Sequence, residues 1–344
     1  MQPEIGMGFG WVVFAALCGG IFALPLKLRR RFELENIYVI AAAVTMLLLP
    51  WLTALWFLPH WQMAIAHAGH AVMMRGLLYG FAWGIGAVTF GYGITGLGLS
   101  LGYAIIMGVN TAVGSLIPLL VTSPQEARTP AGKVILAGIA LCIVGVAICG
   151  RAGVLREKRN GGKPPGQEGG ARLGIAWGLT LCGISGILSA CANLGFAFTS
   201  EIAHAARQLG AARPIATLGS WMPVYWGGFA ATLLWFGSQQ IRRGTWRKNM
   251  GAGAARDWAL AGGMGLLWFL AMIPYGVGAY YLGRLGTSVG WAVDIAASLI
   301  IANLLGFLTH EWKDSSPASV NTLYVGLGVL VLAMVVLAKG NAMV

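Results

Sequence analysis

Charge is what this chain has least of. Only 10% of its 344 residues are Asp, Glu, Lys or Arg, and 11 acidic residues face 23 basic ones. With 57% apolar residues besides, the chain does not read as a water-soluble globular domain. Strand-type alternation in segments of about ten residues is absent, which argues against an outer-membrane barrel. The cysteines Cys18, Cys142, Cys149, Cys182 and Cys191 form no CxxC pair and share no ligand spacing with histidine, so they read as apolar filler rather than redox or metal groups. Paired membrane carboxylates, a zinc ligand set and a nucleophile with its base are also missing. Their absence argues against an enzyme, and neither a metal nor a cofactor is expected.

What the chain has is long apolar runs. Segments of roughly 20 such residues, enough to cross a bilayer, fall near 8–27, 37–58, 74–95, 98–121, 132–152, 173–198, 216–237, 257–281, 286–309 and 320–338. Ten transmembrane helices in an all-α polytopic membrane protein are the expectation. The net charge of +12 does not indicate nucleic acid, because the basic residues sort by side of the membrane. With the N-terminus outside, 16 of the 23 Lys and Arg lie in inner loops, among them Lys27, Arg29, Arg30, Arg31, Arg156, Arg242, Arg243, Arg247 and Lys248. The excess of positive charge inside favours a bacterial inner membrane with both termini on the outer face. The first run is preceded by no basic residue and followed by several, as suits an uncleaved anchor rather than a secretory signal.

The runs repeat. Leu97, Gly98, Ser100, Gly102, Tyr103 and Ala104 return as Leu285, Gly286, Ser288, Gly290, Trp291 and Ala292, at one offset of 188 residues that also carries Gly138 onto Gly326. Leu17-Cys18-Gly19 returns as Leu181-Cys182-Gly183, and Gly80 with Trp83 as Gly265 with Trp268. A polar stretch containing Arg156-Glu157-Lys158-Arg159 and Pro164-Pro165 divides the chain. The expected organisation is a first five-helix repeat at 1–152, a cytoplasmic linker at 153–172 and a second five-helix repeat at 173–344. Because five is odd, equivalent helices run in opposite directions, giving a 5+5 inverted repeat. Such duplications mark secondary transporters, whose sites lie at the repeat interface near the bilayer midplane. Pro25, Pro118, Pro223 and Pro274 fall in or near spans, where they break helices of the kind that line a substrate cavity.

One acidic residue, Asp294, stands in the middle of a span. A charge there costs roughly 2.5–3.5 kcal/mol on insertion scales, so the residue reads as the proton-coupling group of a carrier or as a fixed partner in helix packing. Helical spacing puts Gly290, Trp291, Asp294, Ser298 and Ile301 on one face of the ninth span, and Tyr103, Met107, Asn110 and Gly114 on one face of the fourth. Two such faces suit a sugar, whose C–H face packs on an aromatic ring while amides and carboxylates take its hydroxyls. Trp83, Tyr92, Trp268 and Tyr275 fit either substrate contact or an interfacial belt. Asn110, Asn193 and Asn303 fit either substrate contact or interhelical hydrogen bonding. The substrate-binding candidates are therefore Trp83, Tyr92, Tyr103, Asn110, Asn193, Trp268, Tyr275, Trp291, Ser298 and Asn303. His60, His67 and His70 read as surface histidines, and Glu201 with His204 as an exposed loop pair or an aid to proton entry.

Trp83-Gly84-Ile85-Gly86, continuing through Gly91, Leu97-Gly98, Ser100, Gly102 and Gly114 to Pro118, resembles the third and fourth spans of the L-rhamnose/proton symporter family. Pro25 and Lys27 with Glu35 are similar to its first cytoplasmic loop, and Trp268, Tyr275, Trp291 and Glu311-Trp312 fit its pattern in matching order. Ala271 and Asp294 depart from it, which leaves the coupling ion and the particular sugar open. The resemblance implies a member of the drug/metabolite transporter superfamily that imports L-rhamnose or a related 6-deoxyhexose with protons. The implied partners are a small sugar and the lipid bilayer. An uncoupled facilitator or exporter of another metabolite is the alternative, and a membrane-embedded enzyme a more distant one.

Overall fold

A computed structural model describes residues 4–97, 99–159, 175–251, 253–313 and 315–344. The described residues are helical or in short connections, with no strand among them. The long helices are α1 (Ile5–Ile21), α2 (Leu34–Phe57), α3 (His70–Leu97), α4 (Leu99–Thr122), α5 (Pro130–Arg159), α6 (Ile175–Ala197), α7 (Thr217–Thr232, with its continuation), α8 (Ala254–Tyr281), α9 (Gly286–Leu308) and α10 (Pro317–Ala342). Nine helices among the described residues are long and apolar enough to cross a membrane, so this is a multi-pass membrane protein. Helix α7 is not among the nine. It continues through a π turn at Leu233–Gly237 into Ser238–Arg243, about 40 Å in all at ~1.5 Å per residue. Three glycines and Ser220, Trp221, Tyr225 and Trp226 dilute its apolarity. Helix α5 runs on through 153–159, and the rest of the expected linker, 160–172, lies outside the described residues.

Local signals set the helix ends. Glu33 and Asn36 form a reciprocal capping box at the start of α2, and Ser316 accepts from the Ser319 N–H in front of Pro317 to open α10. Gly244, in the left-handed region at φ 67°, stops the α7 continuation. A second π turn, at Val44–Leu48 in α2, stands 189 residues before the one after α7.

The packing is paired. Helix α1 lies against α8 and α9, while α6 lies against α3 and α4; α2 meets α8, α7 meets α3, and α5 meets α10. Small residues permit the closest approaches. A Cβ on Gly80 of α3 would sit 1.9 Å from the Val224 carbonyl oxygen of α7, and one on Gly265 of α8 would sit 2.7 Å from the Ala41 carbonyl oxygen of α2. Leu55, Trp56, Leu78, Leu234, Leu304 and Val335 point outward, as lipid-facing side chains do. The largest buried cluster runs through the middle of the bundle and includes Trp221, Tyr225, Tyr275 and Trp291.

Candidate functional site

The residues of this central cluster are held by cross-helix hydrogen bonds. The Tyr275 hydroxyl of α8 donates to Asn193 Oδ1 of α6 at 2.6 Å and reaches the Thr287 carbonyl at 3.2 Å. The Asn193 amide donates to the carbonyls of Gly114 (2.8 Å) and Thr287 (3.0 Å), so one asparagine connects α4, α6, α8 and α9. Trp291 Nε1 donates to Asn110 Oδ1 at 3.3 Å. Its indole lies on Gly114, where a Cβ would come within 2.3 Å of Nε1. The expected faces of the fourth and ninth spans thus meet through Trp291, Asn110 and Gly114.

Aromatic rings extend this layer. Tyr275 packs edge-on to Trp291 with centroids 5.3 Å apart, Phe196 stacks on Trp221 at 4.8 Å, and Trp221 stacks on Tyr225 at 5.6 Å. Trp83 and Trp268 meet edge to face at 5.6 Å, and Trp83 joins them to Tyr225 at 6.5 Å. Tyr103 packs against Phe90 on the border of the cluster. Asp294 is buried one turn beyond Trp291, within electrostatic reach of the Tyr275 hydroxyl, and its Oδ1 has no hydrogen-bond partner. The layer therefore combines flat apolar rings, amides and a carboxyl, the group types that recognise a polyhydroxylated ring.

Three expected residues are placed elsewhere. Tyr92 is half-exposed on the outside of α3, edge-on to Trp235. Ser298 donates to the Ala16 carbonyl of α1 at 3.2 Å, two turns beyond Trp291, and Asn303 donates to the Leu299 carbonyl of its own helix. Trp221, Tyr225 and Phe196 belong to the ring layer, although periodicity does not single them out. For Trp221 and Tyr225 the signal in the sequence is the concentration of aromatic residues around Pro223 in the one long helix that falls short of the apolarity of the other nine; Phe196, on α6, has no such signal.

The two ends of the bundle differ. The end that carries Ile5 holds a cavity of about 160 Å³ lined by Phe196, Ala197, Ser200, Arg207, Thr217, Ser220, Tyr280 and Thr287, among others. Its contacts include the pairs Arg75–Glu201 and Arg284–Glu126, and the Glu201 of the expected loop pair is thus matched with Arg75. At the opposite end, the loop before α2 is clasped to the first turn of α8, and the start of α2 to the segment before α8. Asp257 accepts the backbone N–H groups of Arg30, Arg31 and Phe32, at 2.6 Å and 2.8 Å for the last two. Asn36 donates to Thr245 and Asn249, Gln240 to the Glu35 carbonyl, and Thr245 to the Glu35 carboxylate. Lys248 pairs with Glu33, and that hydrogen bond holds the Glu33 carboxyl below its usual 4.5. At the same end, Arg156 lies over the Trp312 ring at 4.7 Å and pairs with Glu311. No group of three or more His, Cys, Asp or Glu among the described residues is placed to hold a metal ion.

Comparison with known proteins gives this geometry a context. A family model described as L-rhamnose-proton symport protein matches residues 1–343. The chain is similar to the L-rhamnose-proton symporter of Cronobacter sakazakii, 27% identical over 355 residues that cover 99% of both chains. It is also similar to the L-rhamnose-proton symporters of Mannheimia succiniciproducens (24% identical, 99% of this chain and 100% of the relative) and Citrobacter koseri (26% identical, with the same coverage). With a match of that extent and relatives covered end to end, the chain belongs to the L-rhamnose-proton symport protein family.

Proposed function

We propose that this protein is a proton-coupled symporter that imports L-rhamnose across a bacterial inner membrane by alternating access. The observation that carries the reading is the buried Asp294 carboxyl, with one oxygen unpaired, set against an amide and aromatic layer in a chain that this symport family matches throughout. Asp294 is the proton-coupling residue. Asn110, Asn193, Tyr275 and Trp291 contact the sugar, and Trp83, Trp268 and Tyr103 shape the site around it. The proton is the only coupling species required.

The architecture that serves this mechanism is a ten-helix 5+5 inverted repeat with α7 as a full crossing. The reading is supported by the matched pairs α1 with α8 and α9 against α6 with α3 and α4, by the π turns 189 residues apart, and by the close approaches of Gly80 and Gly265. The end holding Ile5 is the outer one. An outward-facing arrangement is supported by its cavity and by the clasp at the opposite end. Protonation of Asp294 from outside favours sugar binding, the two repeats rock, and proton loss inside releases the sugar.

Uptake of labelled L-rhamnose into proteoliposomes tests this. Wild-type protein should accumulate sugar under an inward proton gradient and lose that accumulation with a protonophore. Asp294→Asn should still exchange sugar but equilibrate only. Full accumulation by Asp294→Asn would rule out its coupling role.

A further inference from the structure

Trp221 and Tyr225 stand one turn apart on α7, both fully buried and with their rings stacked. Around them several buried polar side chains of the central layer are paired: Tyr275 with Asn193, Asn193 with two carbonyls, Trp291 with Asn110. Trp221 Nε1 and Tyr225 Oη have no hydrogen-bond partner, and neither does Asp294 Oδ1; Trp226 Nε1, next to Tyr225, and Ser115 Oγ, next to Gly114, lack one too. A buried donor without a partner is costly to keep, and two of them with stacked rings on one helix call for a reason.

The surroundings supply one. Trp221 packs edge-on to Tyr275, whose hydroxyl holds Asn193, and Tyr275 in turn packs on Trp291, one turn from Asp294. Phe196 stacks on Trp221 and also lines the cavity at the Ile5 end, where Ser220, the neighbour of Trp221 in the chain, is a second wall. The ring that covers the unpaired indole is thus the ring that a solute in the cavity meets.

We propose that Trp221 Nε1 and Tyr225 Oη are hydroxyl-reading contacts of the sugar site, entered from the outer cavity past Phe196. The assignment rests on the symporter reading above and adds specificity residues to it. An indole N–H only donates, so Trp221 selects an oxygen free to accept; a phenol both donates and accepts, so Tyr225 takes a hydroxyl in either sense. The ligand class is a neutral pyranose, whose C–H face lies on the stacked rings while its hydroxyls satisfy the two donors. In the arrangement described here, Phe196 lies against Trp221, and sugar entry exchanges that ring contact for hydrogen bonds.

The test measures L-rhamnose binding to the purified full-length chain by calorimetry, for wild type, Trp221→Phe and Tyr225→Phe. Each variant removes one polar atom and keeps a ring. Each should weaken rhamnose binding about tenfold, the equivalent of one well-made hydrogen bond, while the melting temperature of the sugar-free protein stays level or rises. A second arm binds a set of monodeoxy rhamnoses to the wild type. The analogue lacking the hydroxyl read by Tyr225 should bind about tenfold more weakly than rhamnose and should be indifferent to Tyr225→Phe. Unchanged affinity in both variants, or deoxy analogues that all bind as rhamnose does, would mean that the two atoms are unpaired for packing reasons alone and would overturn the assignment. A wild type that binds no rhamnose would overturn the symporter reading itself, before any variant is compared.

Discussion

The Tyr275 hydroxyl donates to Asn193 Oδ1 at 2.6 Å, so one bond ties α8 to α6 inside the bundle. Asn193 then spends both amide hydrogens on the carbonyls of Gly114 and Thr287, in two other helices. Tyr275→Phe removes the hydroxyl and leaves the buried Asn193 oxygen without its donor. Stability in detergent should fall by about 1–3 kcal/mol, read as a lower melting temperature. An unchanged melting temperature would show that the bond does not hold the helices together.

The clasp opposite the cavity depends on Asp257, whose carboxylate gathers three consecutive backbone N–H groups. Asp257→Ala leaves Arg30, Arg31 and Phe32 without that acceptor. A loss of about 3 kcal/mol is expected, together with faster trypsin cleavage after Arg30 or Arg31 in the folded protein. Cleavage at the wild-type rate would mean that the loop is held by its other contacts.

Glu33 gives the same end a dependence on acid. Its hydrogen bond to Lys248 lowers the carboxyl from an ordinary value of 4.5. The folded value lies below the unfolded one, so the contribution is fully present above pH 4.5 and is lost as pH falls through the folded value. Both partners are largely exposed, which keeps the effect small. Melting temperatures of wild type and Glu33→Gln, followed through and below pH 4.5, should differ at neutral pH and converge in acid. A difference that persists in acid would contradict the assignment.

Gly80 tests the approach of α3 to α7. Any side chain there meets the Val224 carbonyl oxygen, with its Cβ at 1.9 Å, and backbone cannot step aside as a flexible side chain can. Gly80→Val should cost more than about 4 kcal/mol, with little folded protein recovered after extraction. Near-normal recovery would show that the two helices separate easily.

Much of this was legible in the residues, and the exceptions have physical causes. Nine of the expected spans correspond to helices long and apolar enough to cross, because hydrocarbon demands unbroken apolar runs that no other environment imposes. The face of Trp291 on one span and that of Asn110 and Gly114 on another were legible from the helical period, whereas their meeting was not, because periodicity orders residues around one helix and is silent on which helices touch. Trp221 and Tyr225 escaped because tryptophan and tyrosine in a membrane have several ordinary uses, and only an unpaired polar atom separates one use from another. Ser298 reads as a site candidate from its place in a span and Asn303 as a candidate or a helix-packing group; each donates to a nearby carbonyl, as hydroxyls and amides in a span readily do. The Asp257 clasp joins residues more than 200 positions apart through backbone N–H groups, which carry no signature in a sequence.

Helix α7 carries a consequence for how the protein is made. From Leu218 to Thr232 it is buried on nearly every side, and its composition sets it apart from the nine apolar helices. Lipid alone gives such a segment little reason to leave the insertion machinery, whereas Gly76, Gly80 and Gly84 of α3 offer it a fitted surface. On the ten-helix reading, this crossing is recruited by protein already in the bilayer. Biogenesis then waits on an earlier part of the chain, and a substitution on α3 can appear as a failure of membrane insertion more than a hundred residues downstream.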